Sequence, residues 1–158
     1  MKRIGLIILV AALACLTSCN KVKDIKVNSA EVEALSPYGK RGAFAGLAVE
    51  IDNPTIQIKL SEMEAVVKCS GKVLGTVTVD PFTLKPRTVE TYHLKTTMSL
   101  DESLTLFDLA VFLDKDVLDK CTVDITAKGK IKGGLSKTIT RKDIPLKKLI
   151  EKYADKKK

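Results

Sequence analysis

The sequence predicts an all-β domain, a β-sandwich of seven to eight short strands with one inserted helix and a C-terminal amphipathic helix. Three observations carry that expectation. Apolar residues recur with period two over most of the chain, turn signals fall about every ten residues, and helices do not alternate with strands as a parallel α/β fold requires. A hydrophobic content of 45% is too apolar for a disordered chain and enough for a core.

Each element follows in order. Residues 24–35 alternate as a first strand, and Ser36-Pro37-Tyr38-Gly39-Lys40-Arg41-Gly42 has the Pro and Gly chemistry of a loop. The clearest alternation is next: Ala43, Ala45, Leu47, Val49 and Ile51 share one face until Asp52-Asn53-Pro54 stops the strand. Ile56, Ile58 and Leu60 form a short strand. Met63, Ala65, Val67 and Cys69 form another, turning at Gly71-Lys72 into a strand over 73–79 in which Gly75 marks a bulge or a close backbone approach. Asp80-Pro81 and Lys85-Pro86 bracket a loop, and 88–100 is a long strand with Tyr92, Leu94, Thr96, Met98 and Leu100 in phase.

Asp101-Glu102-Ser103 interrupts the β pattern. These acids open an apolar stretch over 104–113 that reads as a short buried helix. Strand character returns with Cys121, Val123, Ile125 and Ala127, and Gly133-Gly134 turns the chain into a last strand over 135–141. Leu146, Leu149, Ile150 and Tyr153 have the i, i+3, i+4, i+7 spacing of an amphipathic helix.

The N-terminus carries a different signal. Lys2 and Arg3 precede 13 apolar residues, 4–16. A bilayer-spanning helix needs roughly 20, so the run fits the core of an export signal. It ends Leu16-Thr17-Ser18-Cys19, which resembles the lipobox of bacterial lipoproteins. That resemblance implies that residues 1–18 are a signal peptide, that Cys19 is lipidated (palmitate-type acyl chains on a diacylglyceryl cysteine), and that 19–23 is a tether. Four residues at roughly 3.5 Å each reach at most about 15 Å, so the domain over 24–145 stays close to the bilayer. Asn20 and Lys21 do not match the Asp signal that retains some lipoproteins at the inner membrane. This points to a cell-envelope location on the periplasmic face of the outer membrane.

Charge is unevenly distributed. With Lys2 and Arg3 removed, 25 basic and 19 acidic residues remain. Residues 19–136 hold 16 of each sign, whereas 137–158 hold nine basic residues against three acidic. The basic segment over 146–158 therefore nominates Lys147, Lys148, Lys152, Lys156, Lys157 and Lys158 as contacts for an anionic envelope surface, opposed by a simpler reading as a solubilising helix. If the two ends of the domain lie together, lipid and lysines grip one surface.

Chemistry is otherwise sparse. His93 stands alone in a strand pattern, which suits a surface histidine better than a metal ligand. Asp114, Asp116 and Asp119 fail as a calcium loop, because Leu118, Asp119 and Ile125 occupy positions where an EF-hand needs an oxygen ligand, glycine and glutamate. Seven aromatics and no Trp argue against a glycan platform or nucleic-acid binding. No cofactor, metal or catalytic residue is expected, and the protein is read as a non-enzyme. In an oxidising compartment Cys69 and Cys121 are either a disulfide or two buried thiols, and both readings are open.

The run Leu47-Ala48-Val49-Glu50-Ile51-Asp52-Asn53-Pro54, followed by Gly71-Lys72-Val73-Leu74-Gly75, resembles the LEA type 2 domain (the LEA14-like, water-stress-hypersensitive-response family of late embryogenesis abundant proteins). The resemblance spans roughly residues 25–145. It implies an immunoglobulin-like or fibronectin-III-like sandwich, no catalytic residues, and structural roles for Asn53, Pro54, Leu74 and Gly75. The function it implies is a protective one, against desiccation and related stress. An accessory role is the alternative: a subunit of an envelope complex that docks through a strand edge or the C-terminal helix.

Overall fold

The computed structural model describes residues 24–104, 115–148 and 151. Eight strands form one connected antiparallel sheet: β1 (Lys26–Tyr38), β2 (Gly42–Asn53), β3 (Ile58–Cys69), β4 (Lys72–Val79), β5 (Phe82–Leu84), β6 (Thr88–Leu100), β7 (Cys121–Ile131) and β8 (Ser136–Pro145). A single described helical turn, α1 (Lys115–Leu118), precedes β7. The strand order is β1-β2-β6-β4-β3-β7-β8, with β5 paired to β3.

The sheet is continuous at one end and parted at the other. β4 meets β6 only where Gly75–Val79 faces 96–100, while β6 runs beside β2 from Thr88 to Ser99. β5 instead stays on β3, Ile58 opposite Leu84. Apolar side chains fill the space between β5 and the first half of β6, with the rings of Phe82 and Tyr92 5.7 Å apart. Leu47, Val49 and Ile51 of β2 share this core with Ile58, Leu60 and Met63 of β3, Leu84 and Leu94. Val49 and Ile51 are fully buried, so the alternating face read from the sequence is the core face. A second cluster at the other end joins Ala65, Cys69, Val77, Cys121, Val123 and Ile125 to Leu146.

Several boundaries differ from the sequence expectation. The first loop shrinks, because Pro37 pairs with Ala43 and Tyr38 with Gly42, so β1 continues through Ser36, Pro37 and Tyr38. Proline is tolerated there because β1 is an edge strand. The bracketed loop contains β5, since Leu84 finds a core position at 1% exposure between its flanking prolines. The two strands expected over 56–60 and 63–69 are one strand, β3, with an irregularity between Ser61 and Glu64 where Glu62 adopts φ +50°. Ile56 lies outside it, in the β2–β3 connection. The buried helix expected over 104–113 lies outside the described residues apart from Leu104, which is buried.

Gly75 satisfies both parts of its expectation. Val67 pairs with Gly75 and Lys68 with Val73, so Leu74 is the extra residue of a bulge. A Cβ on Gly75 would collide with the carbonyl oxygen of Ser99, so only glycine lets β6 approach here. The edge strand β1 carries two further bulges, which leave Asn28 and Glu33 as extra residues. Their side chains reach across the outer face, Asn28 Nδ2 donating to Glu50 (3.0 Å) and Glu33 lying 2.9 Å from His93 Nδ1. His93 is exposed there, as its place opposite Tyr92 and Leu94 suggested.

The two described ends of the chain lie apart along the strands. Lys26 pairs with Asp52 beside Asn53, whereas Pro145 pairs with Thr122 beside the cysteines. The strand that follows the tether and the segment carrying Lys147 and Lys148 therefore belong to opposite ends of the sheet.

Candidate functional site

Two clusters hold the ends of the sheet, and the family landmarks of the sequence sit in both. At the first end, β2 terminates in Asn53, whose side chain is 1% exposed. Its Nδ2 donates to the carbonyls of Ile56 (2.8 Å) and Lys85 (2.9 Å). Its Oδ1 accepts from the Thr55 backbone N–H (3.1 Å) and hydroxyl (2.8 Å). Both donors and the acceptor are used, so a buried amide ties the β2–β3 connection to the β5–β6 connection without an unmet polar group. Pro54 is exposed beside it, past the strand end. The second connection is also held by Tyr92, whose hydroxyl accepts from Lys85 N (2.9 Å). The hairpin between β7 and β8 joins this end through Lys132 N, which donates to Gln57 O (3.3 Å).

At the second end, Cys69 of β3 and Cys121 of β7 are cross-strand partners joined in a disulfide, with Cα atoms 4.0 Å apart. Both cysteines are buried. Nearby on the outer face, Lys68 bridges Asp124 (2.7 Å) and Asp143 (3.3 Å). The Asp143 N–H donates to Asp124 Oδ1 at 2.8 Å, across a β8 bulge in which Asp143 has φ +55°. That N–H and then the Lys68 ammonium hold the Asp124 carboxyl below the usual carboxylate range, and Asp124 in turn raises Lys68. At the mouth of the β1–β2 hairpin, Arg41 Nη1 donates to the carbonyls of Asp101 (2.8 Å) and Leu104 (3.1 Å).

The nominated lysines separate. Lys147 is engaged with Asp119 at 2.9 Å, which raises its pKa, and Lys148 is exposed. Leu146, first of the expected amphipathic stripe, is buried against the second cluster at the start of a helical turn over 146–148. Cys19, Asp114, Leu149, Ile150, Lys152, Tyr153, Lys156, Lys157 and Lys158 lie outside the described residues. Among the described residues, no helix is long and apolar enough to cross a membrane.

Two consequences can be measured. Asn53→Ala strands the Ile56 and Lys85 carbonyls and should cost about 2–4 kcal/mol in urea unfolding. Asn53→Asp should be worse at neutral pH, because it turns a carboxylate oxygen towards two carbonyls, and should recover partly as the pH falls and the carboxyl gains a proton. The second consequence concerns Asp124. With its folded pKa depressed, the unfolded chain takes up a proton first as the pH drops. This contribution to stability is present above the ordinary aspartate value of about 4 and is lost as the pH falls from there through the lower folded value. Urea midpoints measured against pH should show this acid limb shrinking in Asp124→Asn.

No curated protein matches the sequence. Among solved structures, a protein from Archaeoglobus fulgidus aligns at 14% identity and a TM-score of 0.45, over 74% of this chain and 94% of that one. The GAE domain of GGA2p from Saccharomyces cerevisiae aligns at 8% identity and a TM-score of 0.31, over 78% and 93% respectively. The periplasmic chaperone SfaE aligns at 12% identity and 0.31, over 72% of this chain and 54% of its own. The family model described as late embryogenesis abundant protein, type LEA 2, matches residues 48–149. That span runs from β2 through the Asn53 cluster, the β4 bulge and the disulfide to the start of the C-terminal turn, and the chain belongs to the LEA type 2 family.

Proposed function

We propose that this protein is a lipid-anchored LEA type 2 domain of the bacterial cell envelope, non-catalytic, with a protective role under drying and related stress. The observation that carries the reading is Leu16-Thr17-Ser18-Cys19, placed N-terminal to a domain whose family match covers residues 48–149. Acyl chains on Cys19 contribute roughly 0.8 kcal/mol for each buried methylene, so two or more of them make attachment effectively permanent. The parted sheet, with a core between its two halves, is read as the immunoglobulin- or fibronectin-III-like sandwich that the family resemblance implies. Residues following Cys19 favour the periplasmic face of the outer membrane.

The alternative is an accessory subunit. It draws support from β8, which among the described strands pairs only with β7 and is almost wholly exposed.

Cell fractionation tests the anchor: Cys19→Ala should move the protein from the membrane to the soluble fraction, and firm retention would remove the lipid claim. A deletion strain should survive drying and osmotic or detergent challenge less well than wild type, with rescue by the native gene and not by Cys19→Ala. Crosslinking in cells followed by mass spectrometry separates the two roles. One stoichiometric protein partner would favour the accessory subunit, and a scatter of substoichiometric products would favour general protection.

A further inference from the structure

The balanced charge of residues 19–136 is not balanced in space. The β2–β3, β5–β6 and β7–β8 connections meet at the Asn53 end, tied by the Asn53 amide and by the Lys132–Gln57 bond. Lys85, Arg87, Lys130 and Lys132 come together there, all exposed. Glu90 answers Lys85 at 2.7 Å, and Asp52 faces Lys26 across β1 and β2. On the outer face just below, Lys59 stands in direct cross-strand register with Lys130. Like charges in that position cost stability, in contrast to Lys128, which pairs with Glu62 at 3.0 Å. An anionic counter-surface would reverse the sign of that cost.

Large apolar side chains project from two of these connections and from the start of β6. Leu135, at the tip of the β7–β8 hairpin, is 94% exposed, Val89 is 55% exposed and Ile56 is 38% exposed. A leucine held out just after Gly133-Gly134, on the hairpin that carries Lys130 and Lys132, matches the chemistry of a bilayer interface: an apolar side chain to enter it and cations to meet its phosphates. The opposite end also exposes apolar groups, Leu35, Tyr38 and Phe44. There, however, the Tyr38 and Phe44 rings pack on each other at 4.9 Å, Arg41 is engaged by the Asp101 and Leu104 carbonyls and Lys147 by Asp119. At the Asn53 end, of Lys59, Lys85, Arg87, Lys130 and Lys132, only Lys85 has a carboxylate partner among the described residues.

We infer that the Asn53 end is a docking surface for an anionic lipid bilayer, with Leu135 inserted at the interface and Lys59, Lys85, Arg87, Lys130 and Lys132 over the headgroups. This rests on the lipid-anchored reading, and it moves the anionic contact away from the C-terminal lysines. The strand that follows the tether starts at this end, beside Asn53. A lipid on Cys19 would thus hold this end of the domain towards the bilayer that the cations face.

The test uses the processed, lipidated protein reconstituted on vesicles of phosphatidylcholine alone or mixed with phosphatidylglycerol. A nitroxide is attached at Leu135→Cys, and a control nitroxide at Lys72→Cys in the turn at the other end; a peptide map first verifies that Cys69 and Cys121 remain paired. On anionic vesicles the label at 135 should lose accessibility to a water-soluble nickel chelate and gain accessibility to oxygen, while the label at 72 stays in water. Adding Lys130→Glu and Lys132→Glu, or raising the salt, should abolish the shift. If the protein stays on both kinds of vesicle with the 135 label in water, the docking surface is overturned and the anchor stands. A protein that leaves neutral vesicles yet shields residue 135 on anionic ones keeps the docking and removes the anchor. Failure to bind either kind overturns both, and shielding of residue 72 instead of 135 overturns the docking.

Discussion

The buried side chain of Asn53 is the constraint on which the rest of this fold depends. A strand that ends in the core must dispose of the polar groups of the turn that follows, and burial makes each unmet group costly. Asn53 meets this demand for two connections at once, through four short hydrogen bonds. Because one of them crosses to Lys85, the β5–β6 connection is placed relative to β2 although no strand ladder links β5 to β2. Asn53 thus spans the parting in the sheet where ladder hydrogen bonds are missing. Pro54 complements it by ending any continuation of the β2 ladder.

The other end is secured differently. There the ladder between β4 and β6 is intact, Gly75 allows the strands to approach, and the Cys69–Cys121 disulfide crosslinks β3 to β7. In a chain-entropy treatment, a crosslink closing a loop of 52 residues restricts the unfolded chain by about 4 kcal/mol. One end is therefore held by a hydrogen-bonded amide and the other by covalent and backbone contacts. The apolar clusters lie between them.

Strands with one buried face were legible in the sequence, since β2 and β7 alternate cleanly and their inward residues are the buried ones. Gly75 was legible as well, because a glycine inside a strand pattern has few other uses. β5 was hidden by the prolines around it, and only Leu84 hints at a core position. The hydrogen-bond role of Asn53 had no sequence signal beyond the strand stop, because two of its partners are backbone carbonyls and every residue has one. The basic end was hidden for a geometric reason: Lys59, Lys85, Arg87, Lys130 and Lys132 come from two separate connections and from strands β3 and β7. A running count of charge sees neutrality there and notices only the contiguous tail.

The bulges of β1 bear on how copies of the chain behave beside one another. A flat outer strand offers a template on which a second sheet can zip, and that hazard grows as water is withdrawn and molecules crowd. Here Asn28 and Glu33 break the regular spacing of one outer strand, while Arg141 and Lys142 place positive charge on the other. Both features oppose edge-to-edge pairing of one sheet with another.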